Sequence, residues 1–480
     1  MSRAQPRICI IGAGMSGILM AIRLLEEGYS HIHILEKGNA VGGTWRENTY
    51  PGLHCDVPSV SYRYSFEPYR HWDKRMSSGE DLRKYFEYVS AKYGISNRIT
   101  FNTEVISATY LHRQWKIRTN NGKNLEADFL ISACGVLHHP FTPTLKGAET
   151  FQGHSFHTAR WDHSIDLRNK KVGIIGSGST SAQLIKPLSE EAASLYVFQR
   201  TPQWIFPLAN RKYTQLERKI AQFTPLYGKA IRTFWDRMTS VSSHVVTKKG
   251  VTRKFMQEIA RKNVMQVKDP ELRRKLTPDY EPYCKRIIIS GDYYTYIQKP
   301  NVSVVIDPIL HIEPQGIRTD KETIKLDALI YSTGFDTKAF IKPIKLTGLN
   351  GTTLDEAWKK GPVAYKSITI PSFPNFFMLQ GPSAPVGNFS LIAIAEYQAN
   401  YILECLKMYR KGKFTQLAPT QPATDAFNHQ LKSAMKDTVW VTGCNSWYLT
   451  DDGTPLSWPW GQKDFRDAMK GPELMDYCLS

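Results

Sequence analysis

Two glycine-rich turns, 164 residues apart (176 − 12), constrain this 480-residue chain more than any other feature. Gly12-Ala13-Gly14-Met15-Ser16-Gly17 follows the apolar run Ile8-Cys9-Ile10-Ile11. Gly176-Ser177-Gly178-Ser179-Thr180-Ser181 follows Lys171-Val172-Gly173-Ile174-Ile175. Each reads as a strand entering a tight turn and then a helix. There the glycines let the backbone approach a pyrophosphate, and the helix N-terminus supplies unpaired N–H groups. In both units a charged residue ends the next apolar run 24 positions after the first glycine: Glu36 (36 − 12) and Arg200 (200 − 176). A carboxylate there accepts hydrogen bonds from a free ribose diol, whereas an arginine pairs with a 2′-phosphate. The first site therefore suits FAD or NAD, and the second suits NADPH.

One such turn alone is a weak signal; two with matched readers are a strong one. A further echo supports duplication. Asp128-Phe-Leu-Ile-Ser-Ala-Cys-Gly135 and Asp327-Ala-Leu-Ile-Tyr-Ser-Thr-Gly334 share one pattern, a buried-looking strand running into a glycine turn. The second fingerprint ends in Ser181 where the first has Gly17, so its helix must pack with a small side chain in place.

The fold class that follows is α/β, with two Rossmann-like dinucleotide-binding domains and a helical insertion. Residues 1–140 form the first part of the FAD-binding domain, 141–151 a linker and 152–207 the first part of the NADPH-binding domain. Residues 208–280 are the helical insertion, 281–335 complete the NADPH domain and 336–370 are a second linker. Residues 371–480 return to the FAD domain through a long helical pattern near Ser390 to Tyr409 and continue into a C-terminal region. That region carries Trp440, Trp447, Trp458 and Trp460, a set suited to packing or to walling an apolar pocket.

Charge and cysteines narrow the classes. The net charge is +18, and residues 210–275 hold 17 Lys/Arg against 5 Asp/Glu, which is +12 of it. The basic residues recur at helical spacing (Arg218-Lys219, Arg253-Lys254, Arg261-Lys262) without a nucleic-acid-binding module. A solvated helical face that attracts an anionic cofactor is the expected reading, with no nucleic-acid partner. No apolar window is long enough to span a membrane. The start runs directly into the first strand, which leaves no room for a signal peptide and predicts a cytoplasmic protein. The seven cysteines, Cys9, Cys55, Cys134, Cys284, Cys405, Cys444 and Cys478, are odd in number and lack a CxxC pair. They are expected to be reduced thiols, with no metal site and no dithiol redox centre.

Between the nucleotide units lies Phe151-Gln-Gly153-His-Ser-Phe-His157-Thr-Ala-Arg-Trp161-Asp162. With it stand Gly42-Gly43-Thr44-Trp45, Tyr50-Pro51-Gly52, Cys55-Asp56, Phe198-Gln-Arg200-Thr201-Pro202, Cys284-Lys285-Arg286 and Gly443-Cys444-Asn-Ser-Trp447-Tyr448. Across essentially its whole length the chain resembles the type I Baeyer–Villiger monooxygenases. That resemblance implies FAD and NADPH as cofactors, O2 and a small-molecule ketone as substrates, and oxygen insertion beside the carbonyl through a C4a-peroxyflavin. The alternative is a related flavin monooxygenase that oxygenates amine or sulfide heteroatoms. A pyridine nucleotide–disulfide reductase would need the dithiol that the spacing lacks.

By the same resemblance Arg286 and Asp56 are the active-site pair, the arginine stabilising negative charge on oxygen and the aspartate holding it. Arg200, Thr201 and Lys285 grip the NADPH 2′-phosphate. The FAD set is Gly12, Gly14, Ser16, Gly17, Glu36, Gly43, Thr44, Trp45, Asp56, Tyr62 and Val105; Gly176, Gly178, Ser179, Thr180 and Ser181 complete the NADPH set. His157 and Trp161 belong to a linker that moves with the NADPH domain. Two positions depart from the family pattern: His54 where many relatives have arginine, and Tyr283 where glycine is usual before Cys-Lys-Arg.

Overall fold

The computed structural model describes residues 4–387, 389–446, 449–450 and 453–480. β1 (Ile8–Ile11) leads through the first glycine turn into α1 (Met15–Glu26) and on to β2 (Ile32–Leu35), β3 (Ile99–Thr100) and β4 (Phe129–Ser132). β1 and β4 are apolar runs because both faces of this parallel sheet are covered. The second unit begins with β5 (His154–His157). It continues through β6 (Lys171–Ile175), the second turn, α2 (Ser179–Glu191) and β7 (Ser194–Phe198). The helices α3 (Gln215–Phe223), α4 (Pro225–Thr247) and α5 (Val251–Asn263) intervene before β8 (Val302–Val305) and β9 (Ala328–Tyr331). The chain then supplies β10 (Phe376–Met378) and α6 (Leu391–Arg410), which lies against α1.

Two five-stranded parallel sheets result, ordered β10-β4-β1-β2-β3 and β8-β7-β6-β9-β5. Four strands correspond one to one: β1 with β6, β2 with β7, β3 with β8 and β4 with β9. The correspondence extends to side chains. The Asp128 carboxylate accepts from the Arg7 backbone N–H at 2.7 Å, and the Asp327 carboxylate accepts from that of Lys171 at 2.8 Å. An antiparallel sheet of residues 105–127, joined by 345–347, flanks the first unit, and a three-stranded one of residues 309–325 flanks the second.

The turns direct both units at the site. Gly12 has φ +103° and Gly176 has φ +118°, values that L side chains rarely adopt. Their N–H groups donate to Leu35 O at 2.8 Å and Phe198 O at 3.0 Å, which ties each turn to the end of the neighbouring strand. A Cβ on Gly12 would lie 2.8 Å from Ala133 O. The N-termini of α1 and α2 therefore open at the carboxyl ends of their sheets, where such folds bind ligands. Among the described residues no helix is long and apolar enough to cross a membrane.

Candidate active site

Both turns line one cavity of about 1310 Å³. Every predicted site residue lines it except Gly17 and Ser181. These two sit one turn into α1 and α2 and serve packing. A Cβ at Gly17 would collide with the Gly12 carbonyl, and the Ser181 side chain is 1% exposed beneath the second turn.

Glu36 stands at the end of β2 with its carboxylate held. Oε2 accepts from Ala13 N–H at 2.7 Å, and Oε1 accepts from Gly38 N–H at 2.7 Å and from Arg46 Nη1 at 3.1 Å. Oε2 keeps acceptor capacity for one more donor. On the flanking loop Trp45 Nε1 donates to Tyr62 Oη at 3.3 Å, ring edge to ring face. At the second turn Arg200 is exposed, while the Lys285 ammonium lies 4.8 Å from the centre of the Tyr280 ring. Burial lowers the Lys285 pKa, and the Arg200 charge lowers it further. Two cations that repel each other at the mouth of a cavity make a place for an anion.

Asp56 and Arg286 come from segments 230 residues apart and form an ion pair inside the cavity. Arg286 Nε and Nη2 donate to Asp56 Oδ2 at 3.1 and 2.6 Å. Burial pushes the Asp56 carboxyl up, but the Arg286 charge and hydrogen bonds outweigh it and hold the group below the usual carboxylate range.

The loop carrying Arg286 is set by two features. Tyr283 has φ +73°, the conformation that glycine adopts freely, and its side chain is 4% exposed against Trp440 and Val245. The loop thus keeps a glycine-like backbone with a tyrosine on it. Tyr283→Gly would relieve about 1–2 kcal/mol of backbone cost but remove a buried aromatic worth about 3–5 kcal/mol. A lower melting temperature is the expected result in a thermal scan. The second feature corrects the expectation of seven free thiols. Cys284 and Cys444 form a disulfide with Cα atoms 6.1 Å apart, joining the arginine loop to the C-terminal segment across 160 residues. No spacing signature marks such a pair, because packing alone brings the two segments together. The cysteines therefore do not argue for a reducing compartment.

Thr239, Ser242 and Val246 have no sequence motif and present one face of α4 to the cavity. Trp440, and Asn445 and Ser446 of the C-terminal motif, enter from the C-terminal segment. Trp458 packs at 4.8 Å on Trp460 in the core of the first unit, and Trp447 lies outside the described residues. The Gln183 side chain on α2 accepts from Tyr50 Oη at 2.8 Å and donates to His54 O at 2.9 Å, clamping the Tyr50-Pro51-Gly52 loop to the second unit. His157 ends β5, with Nδ1 accepting from Ala159 N–H at 3.0 Å, and Trp161 packs edge-on to Phe156. Among the described residues no group of three His, Cys, Asp or Glu side chains is placed to hold a metal ion.

Known proteins resemble this chain along its whole length. A pyridine nucleotide–disulphide oxidoreductase family model matches residues 9–217, a span that holds both turns and excludes the disulfide. An uncharacterized monooxygenase of Mycobacterium tuberculosis (strain ATCC 25618 / H37Rv) is 43% identical over 100% of this chain and 97% of its own length. A Baeyer–Villiger monooxygenase of Streptomyces coelicolor is 37% identical over 98% of this chain and 92% of that protein. Cyclohexanone monooxygenase from Rhodococcus sp. Phi1 bound to NADP+ superimposes with a TM-score of 0.88 at 26% identity over 99% of both chains. With full-length coverage at these identities, the chain belongs to the Baeyer–Villiger monooxygenase family.

Proposed function

We propose that this monooxygenase works in the cytoplasm with FAD, NADPH and O2, inserting one oxygen atom beside the carbonyl of a small ketone to give an ester or lactone. The observation that carries the reading is the Asp56–Arg286 pair, placed in the single cavity where both dinucleotide turns open.

The residues fit both cofactors. At the first turn Gly14 faces Gly43 with no side chain between them, and Glu36 Oε2 retains an acceptor site for a ribose hydroxyl. At the second turn a Cβ on Gly178 would meet nothing within 4 Å, leaving room for a pyrophosphate at the α2 N-terminus. A flavin held at the first turn, against Gly14, Gly43 and Glu36, would supply hydride acceptance and O2 activation. The chain contributes the rest. Arg286 brings a planar, permanently cationic fork, held on Asp56 through Nε and Nη2, whose charge stabilises negative charge developing on oxygen. Asp56 fixes the fork and keeps the cavity's charge balanced, because one charge alone there would be costly. The apolar wall, Trp440 and Val246 included, excludes the water that would compete with the ketone.

The test is NADPH consumption over a panel of cyclic, linear and aryl ketones under 18O2. An ester or lactone carrying one labelled oxygen supports the reading. Turnover of amines or sulfides with no ketone product overturns it.

Coenzyme choice gives a further expectation. Arg200→Ala should weaken NADPH by about ten- to a hundredfold, the value of a charge-assisted phosphate contact, and leave NADH nearly unchanged. Burial and Arg200 depress the Lys285 pKa, so NADPH affinity should fall with rising pH sooner than an ordinary lysine would allow. Removing Arg200 takes away one cause of the depression. The alkaline limb of the NADPH KM profile should then move to higher pH, which steady-state kinetics against pH will show.

A further inference from the structure

Nine of the nineteen large apolar side chains that the described residues expose belong to residues 216–265, about a tenth of the chain. They are ordered by helix geometry. On α3, Leu216 and Phe223 share a face at a spacing of seven. On α4, Leu226, Phe234, Met238 and Val241 form an outward stripe, and on α5 Val251 and Phe255 do the same. Exposure reaches 75% at Leu226, 76% at Phe223 and 84% at Val251. α4 lies beside both α3 and α5.

The same stretch holds 11 Lys/Arg against 3 Asp/Glu, which is +8 of the net charge, and Lys219, Lys229, Arg237, Lys254 and Lys262 are exposed among these side chains. Its acids are subdued. Glu217 is paired with Arg211, Asp236 with Arg232, and Glu258 stands one helical turn from both Lys254 and Lys262. A purely solvated helix face does not carry this much apolar surface. A second copy of the chain fits poorly as its cover, since face-to-face pairing would oppose two segments of +8. Protruding apolar side chains ringed by lysine and arginine match an interface of anionic headgroups over acyl chains.

We infer that the α3–α5 insertion docks the enzyme on the surface of an anionic lipid bilayer, with the outward stripe of α4 and the tips of α3 and α5 seated at the headgroup boundary. α4 gives the docking a purpose. Its opposite face presents Thr239, Ser242 and Val246 to the cavity, so one helix separates the site from the bilayer. An apolar ketone partitions into lipid, and a docked enzyme would meet it there. That benefit rests on the ketone reading; docking itself does not.

The experiment is co-sedimentation of the FAD-loaded enzyme with sucrose-filled vesicles of phosphatidylcholine, with and without about one-third phosphatidylglycerol. The expected result is binding to the anionic vesicles at least tenfold tighter than to pure phosphatidylcholine, weakened by 0.5 M salt as screening requires. The triple variant Leu216→Gln/Leu226→Gln/Phe234→Gln keeps helix formers on exposed positions and should lose at least tenfold in vesicle affinity. Its NADPH consumption with a water-soluble substrate should stay unchanged. Met475→Gln, which removes an exposed apolar side chain elsewhere, should bind as the parent does. No binding to anionic vesicles overturns the inference. So does a triple variant that binds as tightly as the parent, because charge alone would then suffice. A parent that is dimeric in sedimentation velocity, with a monomeric triple variant and no vesicle binding, identifies the face as a protein contact and also overturns it.

Discussion

Arg286→Ala is expected to leave NADPH-driven bleaching of the bound flavin in place and to cut ester formation by about 10²–10³-fold, the usual cost of one lost donor to a developing oxyanion. The two half-reactions place different demands on the cavity. Hydride transfer forms neither a peroxide nor a carbonyl oxyanion, so it makes no demand on the guanidinium at the oxygen-transfer position. Oxygen transfer builds negative charge on oxygen, and Arg286 is the cation that the structure holds there, through Nε at 3.1 Å and Nη2 at 2.6 Å to Asp56. Anaerobic stopped flow should show reduction within a few-fold of the parent, while product analysis under oxygen shows little ester and more uncoupled NADPH consumption. Arg286→Lys keeps the charge but loses the planar fork and should fall between the two. Asp56→Ala should impair the same oxygenation step by releasing the arginine. Near-parental ester formation in Arg286→Ala would make the pair structural only.

Gly14→Val should give a colourless protein. The Gly14 Cβ would lie 3.4 Å from Gly43 Cα, and the two further methyl groups of valine would fill the gap between the first turn and the Gly42-Gly43 loop. Both sides of that gap are backbone, so nothing can swing away to readmit a pyrophosphate. Gly178→Val is the partner experiment. It places the same bulk at the second turn, where open space surrounds the added atoms, and should retain flavin while weakening NADPH. Flavin absorbance per chain after gel filtration, with circular dichroism to show that both variants fold, separates the two sites. Stoichiometric FAD in Gly14→Val would mean that the first turn does not hold it.

Local patterns carried much of the architecture. A strand, turn and helix within 20 residues leave a readable trace, so both nucleotide units and the repeat at Asp128 and Asp327 could be recognised from spacing. Short motifs also brought Asp56 and Arg286 into view one at a time. Contacts between distant segments left no comparable trace. The Cys284–Cys444 disulfide spans 160 residues, and the Gln183 clamp joins α2 to a loop about 130 residues earlier. Thr239, Ser242 and Val246 became cavity wall only because α4 packs with that face inward. Gly17 and Ser181 belong to the fingerprint for the packing of helix on turn, where a Cβ at Gly17 would collide with the Gly12 carbonyl.

The sheet order has a consequence for how the protein is made. All strands of the second sheet lie between residues 154 and 331, so that unit is complete in a growing chain before residue 340 leaves the ribosome. The first sheet must wait. β4 presents Phe129 and Ile131 along an open edge until β10 arrives at residues 376–378, and α1 lacks its cover until α6 ends at Arg410. During synthesis a finished domain therefore hangs from an unfinished one whose apolar strand edge invites the wrong partner. Flavin should be captured only near the end of translation, and nascent chains stalled between about residues 340 and 375 should be the species most in need of a chaperone.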